Sequence, residues 1–211
     1  MPTITLTIGD KNLSSWSLRP WFLMTHAGIP FKEETIFLDL PTSRAELKEK
    51  SPSGLVPFLN DSDVSIWDSL AIAEYLYETF PDKHLWPQEP GARAFARAVS
   101  AEMHSGFSAL RTVWPMMVLR EDMAHTTSGG VQRDVDRILA LWTECRTRFG
   151  KDGPFLFGKF SIADAMYAPV VSRLKTYGPV TMNDTCTAYM KTILNSPAMA
   201  TWCEGAKQQV G

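Results

Sequence analysis

The amino-acid sequence predicts an α/β domain followed by an all-α domain, and three observations support this. Strand and helix patterns alternate over roughly the first eighty residues of the 211-residue chain. Residues 81–91 contain three prolines and are typical of a linker. Beyond the linker, helical periodicity recurs and strand patterns disappear. We therefore expect two domains, at residues 1–80 and 92–211.

The first domain is expected to have the order β-α-β-α-β-β-α. Alternating or β-branched runs predict strands at residues 4–8, 31–38, 56–59 and 64–67. Helices are predicted at residues 18–27, 45–50 and 69–80, and Gly28 is the usual residue past a helix end. In the second domain we expect helices at residues 92–111, 131–149, 162–177, 185–195 and 197–209. Residues 111–120 are also expected to be helical, with a kink at Pro115.

Composition excludes several classes of partner. The net charge is −2, which argues against nucleic acid or an anionic membrane as a main partner. No apolar run reaches the roughly 18 residues of a membrane span, and no secretory signal is visible. The three cysteines lie far apart without metal-ligand spacing, so we expect reduced thiols, no bound metal and a cytoplasmic location.

Residues 55–69 are the most informative segment for function. A strand-like run contains Pro57, and proline inside a strand removes a ladder donor, so it belongs at an edge or a specialised backbone site. After a hairpin, Asp68 and Ser69 open the next helix, whose unpaired N–H groups favour a nearby anion. Separately, these features are typical of an edge strand and a helix cap. Together they predict a binding site for a small peptide-like anion.

A serine-rich segment follows the first predicted strand. Residues 14–21 read Ser-Ser-Trp-Ser-Leu-Arg-Pro-Trp and run into the first helix. One interpretation is helix capping, because serine is a favoured N-cap and proline fits the first turn. The other is that a serine hydroxyl donates a hydrogen bond to a bound thiolate. A free thiol has a pKa of about 8.5, and a donor beside a helix amino terminus lowers it.

These motifs, with an all-helical second half, make the whole chain resemble the cytosolic glutathione transferase family. The resemblance is closest to the serine-type zeta class, whose motif is Ser-Ser-Cys-Ser-Trp-Arg. It implies a thioredoxin-like first domain that binds glutathione as a co-substrate. It also implies a hydrophobic second-substrate site between the domains, a homodimer and a role in detoxification. The chain departs from the zeta pattern at Trp16, which replaces the motif cysteine, and at Leu55, which replaces a glutamine.

The resemblance implies a role for each matching residue. Ser14 is expected to stabilise the thiolate, with Ser15 as the near alternative. Pro57 is expected to be cis, so that the Val56 backbone pairs with the cysteinyl part of glutathione. Asp68 and Ser69 would hold the γ-glutamyl end. The full set of expected glutathione-site residues is Trp16, Leu55, Val56, Pro57, Asp68 and Ser69.

The helical half offers candidates for the second-substrate site. Three-and-four spacing puts His104, Phe107, Arg111 and Trp114 on one helical face. This face is either an interdomain core or the wall of an apolar electrophile pocket. Ser161 and Asp164 form a capping box, which we interpret as structural.

The function predicted from the sequence is glutathione transfer to small hydrophobic electrophiles. Two alternatives stay open. One is a zeta-like cis-trans isomerase of the maleylacetoacetate type that uses glutathione catalytically. The other is a glutathione-transferase-like binding protein without turnover.

Overall fold

The computed structural model describes residues 4–38, 40–123 and 127–210. Its first part contains a four-stranded mixed sheet in the order β2-β1-β3-β4. The strands are β1 (Ile4–Ile8), β2 (Lys32–Thr35), β3 (Phe58–Asp61) and β4 (Val64–Trp67). Strand β1 pairs in parallel with β2 and antiparallel with β3, which forms a hairpin with β4. Leu6 and Ile8 of β1 are fully buried, so this strand anchors the sheet in the core.

Three helices complete the first domain and give the expected order β-α-β-α-β-β-α. They are α1 (Ser15–Ala27), α2 (Ser43–Lys50) and α3 (Ser69–Thr79). Gly28 follows α1 in the left-handed conformation, with φ of 64°, and its N–H bonds to carbonyls of the last turn. The predicted helix end is therefore confirmed, and so is the thioredoxin-like fold class.

One strand prediction was wrong at its start. The strand expected at residues 56–59 begins only at Phe58, so Val56 and Pro57 precede it instead of lying inside it. Proline has no N–H to give to a ladder, and pairing starts after it. The second strand is also shorter than the expected 31–38, ending at Thr35.

The second part of the chain is helical. Its helices are α4 (Pro90–Ser105), α5 (Ser108–Val113), α6 (Gly129–Phe149), α7 (Ile162–Thr176), α8 (Asp184–Leu194) and α9 (Pro197–Val210). Short 3₁₀ helices cover Pro81–Lys83 and Gly150–Asp152. No helix in the described ranges is long and apolar enough to cross a membrane.

The expected helices at 92–111 and 111–120 need correction. The helix is interrupted between α4 and α5, where Phe107 has a positive φ of 56°. The second segment ends at Val113, because the residue before a proline is driven out of the α region. Trp114, which precedes Pro115, accordingly has ψ of 76°. The four candidate pocket residues therefore do not share one continuous helix.

The two domains share one hydrophobic core. Helix α7 is buried along almost its whole length and packs on α1, α4 and α8. Its amino terminus carries the predicted capping box, which is confirmed: Asp164 accepts hydrogen bonds from the Ser161 N–H and hydroxyl. Across the domain boundary, Arg19 Nε donates to the Met166 carbonyl at 3.2 Å. Residues of the first domain are thereby held in a fixed relation to the helical half.

Candidate functional site

Ser14 lies where β1 has ended and α1 begins. It occupies the N-cap position, yet its side chain makes no capping hydrogen bond to the helix backbone. Instead, Ser14 Oγ donates to Ser17 Oγ at 2.7 Å. Ser17 Oγ in turn accepts from the Gly9 N–H at 3.0 Å. The Ser14 hydroxyl therefore does not have the capping role that one interpretation of the sequence gave it.

Gly9 is the point where two predicted site residues converge. A Cβ placed on Gly9 would lie 3.1 Å from Ser14 Oγ and 3.1 Å from Val56 Cγ2. The same atom would lie 2.9 Å from Leu38 Cδ1, so a larger residue would fill the space between them. The Val56–Pro57 peptide bond is cis, as the resemblance implied. The structure thus brings the candidate nucleophile-stabilising serine beside the candidate peptide-binding valine.

Ser15 is held differently from Ser14. It is the first residue of α1, and its Oγ accepts a hydrogen bond from Arg173 Nη2 at 3.2 Å. Arg173 belongs to α7, so this contact joins the two domains. Its remaining bonds go to the carbonyls of Trp114 and Pro169. Because a lone pair of Ser15 Oγ is occupied, the hydroxyl hydrogen of Ser15 points elsewhere.

Asp68 and Ser69 stand at the amino terminus of α3. Asp68 Oδ1 accepts from the N–H groups of Leu70 at 2.8 Å and Ala71 at 3.3 Å. Its second oxygen, Oδ2, lies 2.6 Å from His104 Nε2 on α4. Ser69 is 2% exposed, and its hydroxyl has no hydrogen-bond partner within the described part of the chain. A buried hydroxyl without a partner is costly, and this one lies at the amino terminus of α3, whose positive dipole end favours an anion.

Trp16 connects these groups to the helical domain. The Arg19 guanidinium lies 3.9 Å from the centre of the Trp16 ring and that of Arg111 lies 5.4 Å from it. His104 contacts the same ring edge to face at 5.3 Å. These are distances at which a cation is attracted to an aromatic face. Of the predicted second-substrate residues, His104 and Arg111 therefore lie beside the glutathione-site candidates.

Three arginines lie at the serine motif, and the Asp68 carboxylate acts on one of them, Arg19. Arg19 and Arg173 are 1% and 3% exposed, and neither they nor Arg111 make an ion pair among the described residues. Burial, followed by the charges of Arg173 and Arg111, lowers the pKa of Arg19 well below its usual value. Burial and Arg111 likewise lower the pKa of Arg173 to about 10. Both Arg19 Nη atoms lack a hydrogen-bond partner in the same ranges. An anion bound beside the half-buried Arg111 would relieve the repulsion.

The remaining candidates occupy less direct positions. Leu55 is 65% exposed, and its backbone N–H and carbonyl are bonded to Ser51 Oγ. Phe107 and Trp114 are both buried in the common core, and Trp114 stacks on Tyr177 at 5.4 Å. The interdomain-core interpretation fits these two side chains, and their contact with a substrate stays a prediction.

The three cysteines are free and lie on α6, α8 and α9. Cys145 and Cys186 are buried and Cys203 is partly buried. Burial raises the pKa of the Cys145 thiol to about 12 and also raises those of the other two. A protein thiolate is therefore disfavoured at all three. No cluster of His, Cys, Asp or Glu that could hold a metal occurs in residues 4–38, 40–123 and 127–210.

Sequence reasoning missed two residues of this neighbourhood. Ser17 stands three positions after Ser14, a spacing that places both side chains on one helical face, so this contact had a local signal. Arg173 reaches Ser15 from a distant helix. Sequence spacing does not predict that contact, because it depends on how α7 packs against α1.

Comparison with known proteins fits this geometry. The model described as the glutathione S-transferase N-terminal domain matches residues 13–79. The model described as the glutathione S-transferase C-terminal domain matches residues 128–205. Together the two matches cover well over half of the chain.

Two curated relatives illustrate the similarity. Protein IN2-1 homolog A of Oryza sativa subsp. japonica is 29% identical over 160 residues, which are 75% of this chain and 61% of the relative. A probable maleylacetoacetate isomerase of Caenorhabditis elegans is 37% identical over 115 residues, covering 54% of this chain and 52% of the relative. The chain thus spans less than two thirds of the length of these relatives.

A solved structure shows the same fold over the full length. A glutathione transferase homologue from Burkholderia, with bound glutathione, superimposes with a TM-score of 0.73 at 23% identity. The similarity covers 99% of this chain and 100% of that one. Both domain models of one family match in chain order on this fold, and the chain therefore belongs to the glutathione S-transferase family.

Proposed function

We propose that the protein is a glutathione transferase that activates the thiol of glutathione for attack on small hydrophobic electrophiles. The observation that carries the proposal is the convergence of Ser14 Oγ and the Val56 side chain at Gly9. It puts a hydroxyl that is not used as a helix cap beside a backbone segment suited to an extended peptide. A scaffold without chemistry needs only the cap and the proline.

The Ser14 hydroxyl supplies the hydrogen bond to the glutathione sulfur. A hydrogen bond to the charged form lowers a pKa, and so does the positive end of a helix dipole. Both act at the amino terminus of α1, where Ser14 is 8% exposed. From a free-thiol value of about 8.5, such a shift raises the thiolate fraction at neutral pH. Ser15, with Arg173 on its oxygen, is the alternative donor.

The rest of glutathione would be held by backbone and helix-end groups. The Val56 N–H and carbonyl would pair with the cysteinyl backbone in the manner of an added strand. The unpartnered hydroxyl of Ser69 would donate to the γ-glutamyl carboxylate at the positive end of α3. Asp68 would attract the γ-glutamyl ammonium. Positioning of this kind can contribute several of the roughly 7–11 kcal/mol that proximity offers.

The electrophile would lie against Trp16, between the serine motif and α4. The sulfur lone pair forms a C–S bond, the leaving group departs with its bonding electrons, and the thiol proton passes to solvent.

We also propose a cytoplasmic homodimer with a role in detoxification. Val64 and Trp67, half exposed on the edge strand β4, supply apolar surface for a second subunit. Light scattering of the purified protein measures the oligomeric state.

The test is the conjugation of glutathione to an activated aryl halide by wild type, Ser14→Ala and Ser15→Ala. Loss of a hydrogen bond to a developing anion typically costs about 10²–10³-fold in rate. We expect that loss in kcat/KM for Ser14→Ala, with glutathione affinity within a few-fold of wild type. If Ser14→Ala keeps full activity, the assignment of Ser14 fails. Glutathione affinity without turnover in wild type would favour a binding protein instead.

A second candidate function is cis-trans isomerisation of an enone acid, in which glutathione is regenerated. The specific observation in its favour is that the Arg19 and Arg111 guanidinium groups lie on the Trp16 ring, where positive charge suits a substrate carboxylate. The similarity to the probable maleylacetoacetate isomerase is consistent with it. Turnover of such an acid without net consumption of glutathione would support this candidate, and an increase in KM for Arg111→Gln would locate the carboxylate.

A further inference from the structure

The side-chain hydrogen bond of Ser14 is unusual for a residue at the start of a helix. A serine at the N-cap ordinarily accepts a hydrogen bond from the backbone N–H two or three residues later. Ser14 makes no such bond, although it occupies that position. Its hydroxyl is instead 2.7 Å from the side chain of Ser17, the third residue of α1. Something therefore holds the Ser14 side chain out of its default conformation.

Ser17 is itself fixed from two sides. It is 0% exposed, so neither glutathione nor an electrophile can contact it. Its Oγ accepts from the Gly9 N–H at 3.0 Å, which ties it to the chain just after β1. Gly9 is also the residue beside which Ser14 and Val56 converge. The Ser17 hydroxyl thus links Gly9, just after the central strand β1, to Ser14 at the start of α1.

We propose that Ser17 is a positioning residue for the catalytic hydroxyl of Ser14, an inference that rests on the proposed function. Ser17 prevents Ser14 from capping α1 and keeps its Oγ beside Val56. A serine hydroxyl has one hydrogen and can accept two hydrogen bonds. When the Ser14 hydrogen turns to the glutathione sulfur, Ser14 Oγ becomes free to accept the Ser17 hydrogen. The Ser17 bond then strengthens Ser14 as a donor, because linked hydrogen bonds polarise one another.

Removal of the Ser17 hydroxyl gives a directional prediction. In Ser17→Ala, nothing competes with the backbone N–H of residue 17, so Ser14 turns back to the ordinary capping position. The hydroxyl then faces the helix backbone instead of the sulfur. The bound thiol loses its donor, and its pKa moves towards the free-thiol value of about 8.5. Contacts of Val56 and Ser69 with the rest of glutathione are untouched, so the affinity for glutathione at low pH is retained.

The experiment measures the pKa of enzyme-bound glutathione from the ultraviolet absorbance of the thiolate, together with the pH profile of kcat/KM. The variants are Ser17→Ala, Ser17→Thr and Ser14→Ala. The matched control is Ser100→Ala on α4, because Ser100 is also 0% exposed and its hydroxyl has no partner in the described ranges. We expect a raised thiol pKa and a roughly 10²-fold lower kcat/KM at neutral pH for Ser17→Ala, as for a catalytic group that is misplaced or lost. Ser100→Ala should match wild type, and Ser17→Thr, which keeps a hydroxyl, should have a lower thiol pKa than Ser17→Ala.

The outcomes separate this inference from the proposed function. A raised thiol pKa in Ser14→Ala with a wild-type value in Ser17→Ala overturns the role of Ser17 alone. A wild-type value in both variants overturns the role of Ser14 as well. If Ser17→Ala does not fold, Ser17→Cys fills nearly the same volume with a weaker hydrogen-bonding group. That variant must then show the raised thiol pKa, and a wild-type value would refute the inference.

Discussion

Asp68 combines a structural and a binding role, and two substitutions separate them. Its Oδ1 caps α3 through the N–H groups of Leu70 and Ala71, while Oδ2 lies 2.6 Å from His104 Nε2. Replacement of an N-cap aspartate by alanine costs about 1 kcal/mol, with a range of about 0.5–2. The pair with His104 is partly exposed and contributes less than about 1 kcal/mol. Asp68→Ala should therefore lower the free energy of unfolding by about 1–2 kcal/mol.

Asp68→Asn changes the charge but keeps the cap. Asparagine caps a helix about as well as aspartate and tolerates the positive φ of 75° found here. The free energy of unfolding of the Asp68→Asn variant should stay within about 0.5 kcal/mol of wild type, as expected for a substitution that preserves the cap. Both variants lose the carboxylate that would attract the γ-glutamyl ammonium. Hydrogen bonds to charged groups contribute about 1.5–3 kcal/mol, so both should bind glutathione roughly 10–100-fold more weakly.

Urea denaturation and calorimetric titration with glutathione measure the two effects separately. Asp63→Asn is the matched control, because Asp63 is an exposed aspartate in the turn between β3 and β4. It removes one negative charge without touching α3. Equal destabilisation of Asp68→Ala and Asp68→Asn would refute the capping argument. Wild-type glutathione affinity in Asp68→Asn would refute the role of the carboxylate in binding.

Two further predictions concern the space at Gly9 and the buried carboxyl of α7. A Cβ in Gly9→Ala would press on Leu38 Cδ1, Ser14 Oγ and Val56 Cγ2. The free energy of unfolding should fall by about 1–3 kcal/mol from overpacking, and kcat/KM should fall about tenfold or more. Wild-type kinetics would contradict the site geometry. Burial raises the pKa of Asp164 to about 6, so its contribution to stability is present below the unfolded value of about 3.9 and is lost as pH rises through about 6. Asp164→Asn cannot ionise, and its stability relative to wild type should increase by about 3 kcal/mol between about pH 4 and pH 7 in denaturant titrations; a constant difference would contradict this.

Local signals made much of the fold predictable. Gly28 ends α1, and the Ser161–Asp164 box opens α7, because caps depend on neighbours in the chain. The strand Val64–Trp67 was predicted with its observed bounds. The break between α4 and α5 was missed, since apolar periodicity continues past it while the backbone turns at Phe107.

The candidate site depends on contacts that sequence spacing does not encode. Ser14 and Val56 come together only because β1 and β3 pair antiparallel, which brings the end of β1 beside the start of β3. Arg173 reaches Ser15 only because α7 packs on α1. The sequence pointed to Ser14 and Val56 through the resemblance to a family. Neither periodicity nor spacing pointed to Arg173.

A crystal structure of the protein with glutathione is the most direct test of the proposed glutathione site. We expect the sulfur within about 3.5 Å of Ser14 Oγ, close enough to accept a hydrogen bond from the hydroxyl. We also expect the cysteinyl backbone paired with Val56 and the γ-glutamyl carboxylate on the Ser69 hydroxyl. A sulfur beyond hydrogen-bond reach of both Ser14 and Ser15, or glutathione bound away from Val56 and Ser69, would refute the proposed glutathione site.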